Sequence, residues 1–193
     1  MFRKNNLSSQ IVFILMFFIM FFGINIFQSD FRLDLNAQVY SDFTLPDVEG
    51  NDITLSKNPI FEKPHARGDI SEKGCIMISF WATWCAPCKE ELKKMNNIYL
   101  KYKDNGFDYY AISIDDQKSV AKVKSFAESY KYSFNILLDT DRKVFEAYGG
   151  VEEEVPYSVL ISHDKEVRYK HLGFITGDEV KIEQEIKSLL GIQ

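Results

Sequence analysis

The chain has 193 residues, 46% of them apolar and 15% aromatic, enough for one packed domain with a tail. Its net charge of −5 lacks the basic face that phosphate binding wants, so nucleic acid is not an expected partner. Three cysteines are too few for a scaffold stapled by disulfides.

In chain order, Ile11 to Phe22 is an uninterrupted apolar run that continues through Gly23, Ile24, Asn25 and Ile26 to Phe27, with Arg3 and Lys4 before it. Residues 11–27, at ~1.5 Å each, span roughly 26 Å, within the range of a membrane helix. The preceding basic residues place that end in the cytoplasm. A cleaved signal peptide is the competing reading, but no small-x-small site closely follows the run. The division is therefore residues 1–29 as membrane anchor or signal segment, 30–41 as linker and 42–193 as the folded domain. Both readings put the domain outside the cytoplasm, on the periplasmic side, with an uncleaved anchor at 11–27 favoured.

Asp42 to Leu55 predicts a short hairpin turning around Glu49-Gly50-Asn51-Asp52. Ser56 to Gly74 then reads as a long loop, with Pro59, Pro64 and Gly68; long loops within compact domains are often functional or mobile. Its Arg67-Gly68-Asp69 triplet matches an adhesion tripeptide, a match that arises by chance. Ile76 to Trp81 is a continuous apolar strand of the kind buried on both faces. A helix beginning near Pro87 carries Leu92, Met95, Tyr99 and Tyr102 as one stripe and ends at Asn105-Gly106. Phe107–Ile114 is a second core strand, and Asp115-Asp116 predicts the cap of a helix with Val120, Val123, Ala127 and Tyr130. Phe134–Leu138, a short helix around Val144, Phe145 and Tyr148, and a hairpin of Tyr157–Ile161 with Glu166–Leu172 follow. Thr176 with Glu179 predicts a capping box for a last helix ended by Gly191. The fold class is α/β, a mixed central sheet flanked by helices, with an N-terminal hairpin extension.

The chemistry concentrates at Trp84-Cys85-Ala86-Pro87-Cys88, where the strand meets the helix. A helix N-terminus offers free N–H groups and partial positive charge to an anion. Cys85 would be that anion, and Cys88, one turn on, is near enough to close a disulfide. Pro87 suits the first turn, where a missing N–H costs nothing. Two cysteines at this spacing point to thiol–disulfide exchange; a static disulfide or half a zinc site is the plain alternative, and only Cys75, His65, His163 and His171 could complete a zinc site. Cys75 is left over, a small apolar side chain opening a buried strand or a partner for mixed disulfides.

The string Ser79-Phe80-Trp81-Ala82-Thr83-Trp84-Cys85-Ala86-Pro87-Cys88-Lys89-Glu90-Glu91-Leu92 resembles the thioredoxin superfamily, and its TlpA/ResA-like branch of extracytoplasmic thiol–disulfide oxidoreductases. Asp42-Phe43-Thr44-Leu45-Pro46-Asp47, Leu137-Leu138-Asp139 and Val155-Pro156 recur in that family's order, over roughly residues 40–190. The resemblance implies a thioredoxin fold in which Cys85 attacks a substrate disulfide and Cys88 resolves the mixed disulfide. It implies a cis proline at Pro156 facing the cysteines, with Val155 offering its backbone to an extended substrate and Trp84, Ala86 and Pro87 beside it. Where thioredoxins proper keep a buried aspartate stands Ser79; Glu91 occupies the glutamate position of the TlpA/ResA branch and is the candidate for proton transfer, its alternative being a solvated helix residue. The family's helix-kinking proline is Lys93 here, so the helix is expected to run straighter. Glu152-Glu153-Glu154 borders the expected groove, either opposing thiolate formation or merely a solvated loop.

The reading is a membrane-tethered oxidoreductase acting mainly as a reductase, since Ala86-Pro87 adds no charge to stabilise the thiolate. Its partners would be exported protein thiols and disulfides, apocytochromes c among those the resemblance implies, and a membrane electron donor. No cofactor or metal beyond the Cys85–Cys88 disulfide is expected. A disulfide oxidase or isomerase, a thiol peroxidase, and a non-catalytic metal chaperone or binding module are the rivals.

Overall fold

The computed structural model describes residues 40–62 and 73–193, which belong to one compact unit. The expected anchor at 11–27 and the Arg67-Gly68-Asp69 triplet lie outside the described residues. Among the described residues no helix is long and apolar enough to cross a membrane.

Seven strands and five helices follow one another in the described chain: β1 (Thr44–Pro46), β2 (Asp52–Thr54), α1 (Pro59–Glu62), β3 (Cys75–Trp81), α2 (Ala86–Tyr102), β4 (Phe107–Ser113), α3 (Val120–Tyr130), β5 (Asn135–Leu138), α4 (Lys143–Ala147), β6 (Tyr157–Ser162), β7 (Val167–Leu172) and α5 (Asp178–Leu190). The main sheet has the order β5-β4-β3-β6-β7. β3, β4 and β5 run parallel, while β6 and β7 are antiparallel to their neighbours. β3 takes the centre because every one of its residues is buried, which only a strand covered on both faces allows.

Alternation along β3 assigns the two faces. Met77, Ser79 and Trp81 point one way, under α2 and α3, with Trp81 4.8 Å from Phe126 between ring centroids. α5 joins α2 there through Lys94–Glu179 and Lys101–Glu183 ion pairs of 2.9 and 2.6 Å. Phe80 points the other way, into a cluster with Phe145, Tyr148 and Tyr157. The β1–β2 hairpin forms its own two-stranded sheet and covers the exposed edge of β5 through an Asp47–Leu137 bridge and Val48 N–H donating to Ile136 O at 3.1 Å, which blocks edge-to-edge association.

Several sequence expectations are corrected. Ser56 to Glu62 is not loop: a 3-10 turn (Leu55–Lys57) and α1 occupy it, and 63–72 lie outside the described residues. Tyr40 and Ser41, assigned to the linker, are held by the domain: Tyr40 N–H donates to Lys165 O at 3.2 Å and Tyr148 hydroxyl to Ser41 O at 2.7 Å. Asp116 caps a 3-10 turn leading into α3, but Asp115 turns inward instead. The Thr176 capping box does not form. Gly177, at φ +110°, is the N-cap and no side chain caps there; Glu179 instead accepts from Gly177 N–H and pairs with Lys94. α2 runs unbroken for 17 residues, Lys93 among them. A 3-10 turn (Lys103–Asn105) follows Tyr102 and ends at Gly106, whose φ of +95° suits glycine.

Tyr40 sits at the β6–β7 turn, with Lys165 Nζ 5.7 Å from both the Tyr40 and Phe61 rings. That turn follows Ser162, which pairs with Cys75 at the start of β3. The entry of the chain and the cysteine pair at the end of β3 therefore lie at opposite poles of the sheet.

Candidate active site

Cys85 is the N-cap of α2, its backbone extended at φ −87°, ψ 106°, and its sulfur accepts from Cys88 N–H at 3.2 Å. The cap position normally belongs to an oxygen that satisfies a free amide; here sulfur takes that role, which favours negative charge on it. Pro87 falls in the first turn. Cys85 and Cys88 form a disulfide with Cα atoms 5.3 Å apart. Cys85 is 4% exposed and Cys88 0%. Cys88 is the more enclosed of the two, and the opening over Cys85 is narrower than an accessible sulfur implies. Trp84, 53% exposed, with Ala86 and Pro87, also exposed, forms the rim.

The peptide bond between Val155 and Pro156 is cis, and Val155 O lies 3.5 Å from Cys85 Sγ. The two stretches that sequence separates by seventy residues thus meet at the Cys85 sulfur. Phe80, buried beneath, stacks on Tyr157 at 6.1 Å and so fixes the start of β6 under the cis bond.

Glu91 is not a solvated helix residue. It is 1% exposed and, three residues after Cys88, shares its side of α2. Its Oε1 accepts from Ser79 Oγ at 3.0 Å and Ser158 Oγ at 2.6 Å, and the two hydroxyls are 2.7 Å apart. Ser79 and Ser158 are directly paired across β3 and β6. Burial pushes the Glu91 carboxyl up to about 7, the two serine hydrogen bonds oppose the rise, and the charge of Asp178 adds to it. The serine that replaces aspartate on β3 is therefore a support for a carboxylate supplied from the helix.

Asp115, missed in sequence as anything but a cap, is 4% exposed and holds the loop before the cysteines. Its carboxylate accepts from Thr83 N–H at 2.8 Å, Thr83 Oγ1 at 2.7 Å and Ser113 Oγ at 2.9 Å. The Glu152–Glu154 run is exposed beside Val155; Arg142 Nη2 approaches Glu153 at 3.6 Å while its Nε donates to Ile114 O at 3.2 Å. Cys75 is buried at the other end of β3, and burial pushes its thiol up to about 12. His65 lies outside the described residues, and among the described residues no three His, Cys, Asp or Glu side chains group to hold a metal.

A family model described as AhpC/TSA family matches residues 37–170, more than half of the chain. The chain belongs to the AhpC/TSA family. Among its AhpC/TSA relatives, the thiol–disulfide oxidoreductase ResA of Bacillus cereus (strain ZK / E33L) is 29% identical over 182 residues, covering 93% of this chain and 95% of that protein. ResA of Geobacillus kaustophilus (strain HTA426) is 31% identical over 148 residues, 77% of this chain and 74% of that one. A crystal structure from Chlorobium tepidum, assigned to the thiol:disulfide interchange protein DsbE, superposes with a TM-score of 0.67 at 28% identity, over 80% of this chain and 97% of that one. This AhpC/TSA member has the thioredoxin-like fold and is a thiol–disulfide oxidoreductase of ResA type.

Proposed function

We propose that the protein is a membrane-tethered, extracytoplasmic disulfide reductase that acts on exported proteins, apocytochromes c among them. The observation that carries the reading is the meeting of Cys85, capping α2 and bonded to Cys88, with the carbonyl of Val155 at 3.5 Å. An extended substrate strand bonding the Val155 backbone would bring its disulfide to Cys85. The apolar stretch 11–27 supplies the tether and the basic residues before it the orientation. The uncharged Ala86-Pro87 supports reduction over oxidation, because nothing between the cysteines adds stability to the thiolate.

In the proposed cycle the dithiol form acts first. The Cys85 thiolate attacks one sulfur of the substrate disulfide, forming a mixed disulfide and releasing the other substrate sulfur as a thiolate, which takes a proton from water. The Cys88 thiol gives its proton to the Glu91 carboxylate, and the resulting thiolate attacks Cys85. The bond between Cys85 and the substrate breaks, the second substrate sulfur leaves, and the Cys85–Cys88 disulfide remains. A membrane-side dithiol donor then restores the dithiol form. A carboxyl titrating at about 7 can take and give a proton near neutral pH.

Cys88→Ser in cells tests the reading, since it should arrest the cycle at a mixed disulfide on Cys85 that carries the client with it. The potential of the Cys85–Cys88 couple tests direction; a value at the strongly oxidising end rejects a reductase in favour of an oxidase.

A further inference from the structure

Glu91 lies at the inner end of a row of polar side chains. Ser79 on β3 pairs with Ser158 on β6, and Ser158 pairs with His171 on β7. Directly opposed residues in antiparallel strands point to the same face, so the three side chains form one line across the sheet, beneath α2 and α5. The inner two touch Glu91. The outer one, His171, reaches α5: its Nε2 lies 3.1 Å from Asp178 Oδ2, and its Nδ1 lies 3.2 Å from the Tyr169 hydroxyl. Exposure rises along the row, from 1% at Glu91 and Ser158 to side-chain values of 19% at His171 and 26% at Asp178. Asp178 is fixed independently, because the same oxygen accepts from Ile175 N–H at 2.8 Å at the start of α5.

We propose that His171 and Asp178 are positioning residues for the exchange reaction: together they govern the charge on Glu91, and through it the readiness of Glu91 to take the proton of Cys88. The inference rests on the proposed role of Glu91 as proton carrier for Cys88.

The electrostatics follow from elementary charges. A carboxylate at 178 opposes a second negative charge at 91, and its effect on Glu91 is to hold the proton there. An imidazolium at 171, bonded to that carboxylate, cancels the opposing charge and makes room for the negative form of Glu91. Protonation at the open end of the row thus promotes proton release at the buried end, by as much as Glu91 ionisation promotes protonation of His171.

The other groups facing this cluster are accounted for. Tyr109 on β4 and Tyr169 on β7 both feel the charge of Glu91, and Tyr169 also feels Glu185 and Asp178. Lys181 stands 5.6 Å from the Tyr169 ring, and Lys94 is held by Glu179 at 2.9 Å. Cys88 is the redox partner on α2 itself. Of these groups, His171 is the one whose side chain is bonded to Asp178.

The test follows the Glu91 carboxyl by its 13C resonance in the oxidised full chain, assigned through its loss in Glu91→Gln. Asp178→Asn, which retains an acceptor for Ile175 N–H, should lower the Glu91 titration midpoint, corresponding to about a threefold or greater fall in proton affinity. His171→Gln should raise it, because Asp178 then stays uncompensated. Opposite signs cannot come from general loosening of the α5 start. In the unaltered protein the His171 ring resonances should show an inflection at the Glu91 midpoint that disappears in Glu91→Gln, a reading that needs neither outer variant to fold. Midpoints unmoved in both variants, shifts of one sign, or no shared inflection overturn the proposal. The underlying reading fails separately: if Glu91→Gln leaves the pH profile of disulfide exchange unchanged, Glu91 is not the proton carrier, whatever the titrations show.

Discussion

Ser158 Oγ stands 2.6 Å from Glu91 Oε1, joining the strand that follows the cis proline to the helix that carries the cysteines. Removing that hydroxyl takes away a hydrogen bond that favours the charged carboxylate. Ser158→Ala should therefore raise the Glu91 midpoint further and shift the pH profile of disulfide exchange upward. Ser79→Ala should act in the same direction, more weakly, its bond being the longer at 3.0 Å. A profile that stays in place in both variants contradicts the assignment of these serines.

The same carboxyl couples stability to pH. Its midpoint is raised from 4.5 to about 7 by burial, so between those values the unfolded chain loses a proton that the folded chain keeps. Folding stability should then fall as pH rises through this window and level off above it, by a total on the order of 3 kcal/mol. Below 4.5 both states are protonated and Glu91 contributes no slope. Denaturant midpoints measured across this range should show the decline in the oxidised protein and lack it in Glu91→Gln.

Asp115 holds three donors from the loop before the cysteines and the strand beside it. Asp115→Ala leaves them unpaired in a buried place and should cost about 2–4 kcal/mol of stability. Because Thr83 directly precedes Trp84-Cys85, the exchange rate should fall as well. Chemical denaturation and a stopped-flow exchange assay measure the two effects; an unchanged rate would separate the anchor from the reaction.

Glu152, Glu153 and Glu154 are exposed next to Val155, whose carbonyl touches the Cys85 sulfur. Replacing all three with glutamine should favour the thiolate and raise the reduction potential of the couple, by roughly 10 mV or more at low salt. The difference should shrink at high ionic strength, as screening of surface charge requires. Arg142 already offsets part of the charge at Glu153.

Gly150 packs against the Phe145 ring so closely that a Cβ would overlap it. Phe145 in turn packs on Phe80 and Tyr157, under the start of β6. Gly150→Ala should destabilise the fold by about 1–3 kcal/mol through overpacking, seen as a lowered thermal midpoint.

What the sequence made legible is what neighbouring residues decide. The central strand, the cysteines at the helix start and the hairpins show in local pattern, and Val155-Pro156 shows through family order. The capping box at Thr176 matched a local pattern and still did not form, because Glu179 found Lys94 on α2 and Gly177 took the cap. The site's supporting contacts are of that distant kind: Thr83 with Asp115, Ser158 with Glu91. A signal for the second pair existed in the chain. Ser79 is the lone hydroxyl of β3 and Ser158 is one of two buried serines in β6, and buried hydroxyls need partners. Nothing local said that both would meet one glutamate.

Tyr40 enters the domain at the β6–β7 turn, and Glu62 and Lys73 flank the start of β3 on the same side as that turn. Seven residues of β3, roughly 20 Å at strand rise, separate this end from the sulfurs. A grip placed at Tyr40 itself therefore holds the domain by its heel and leaves its mouth unobstructed. Immobilised copies should for that reason keep turning over large clients that a grip near Pro156 would shut out.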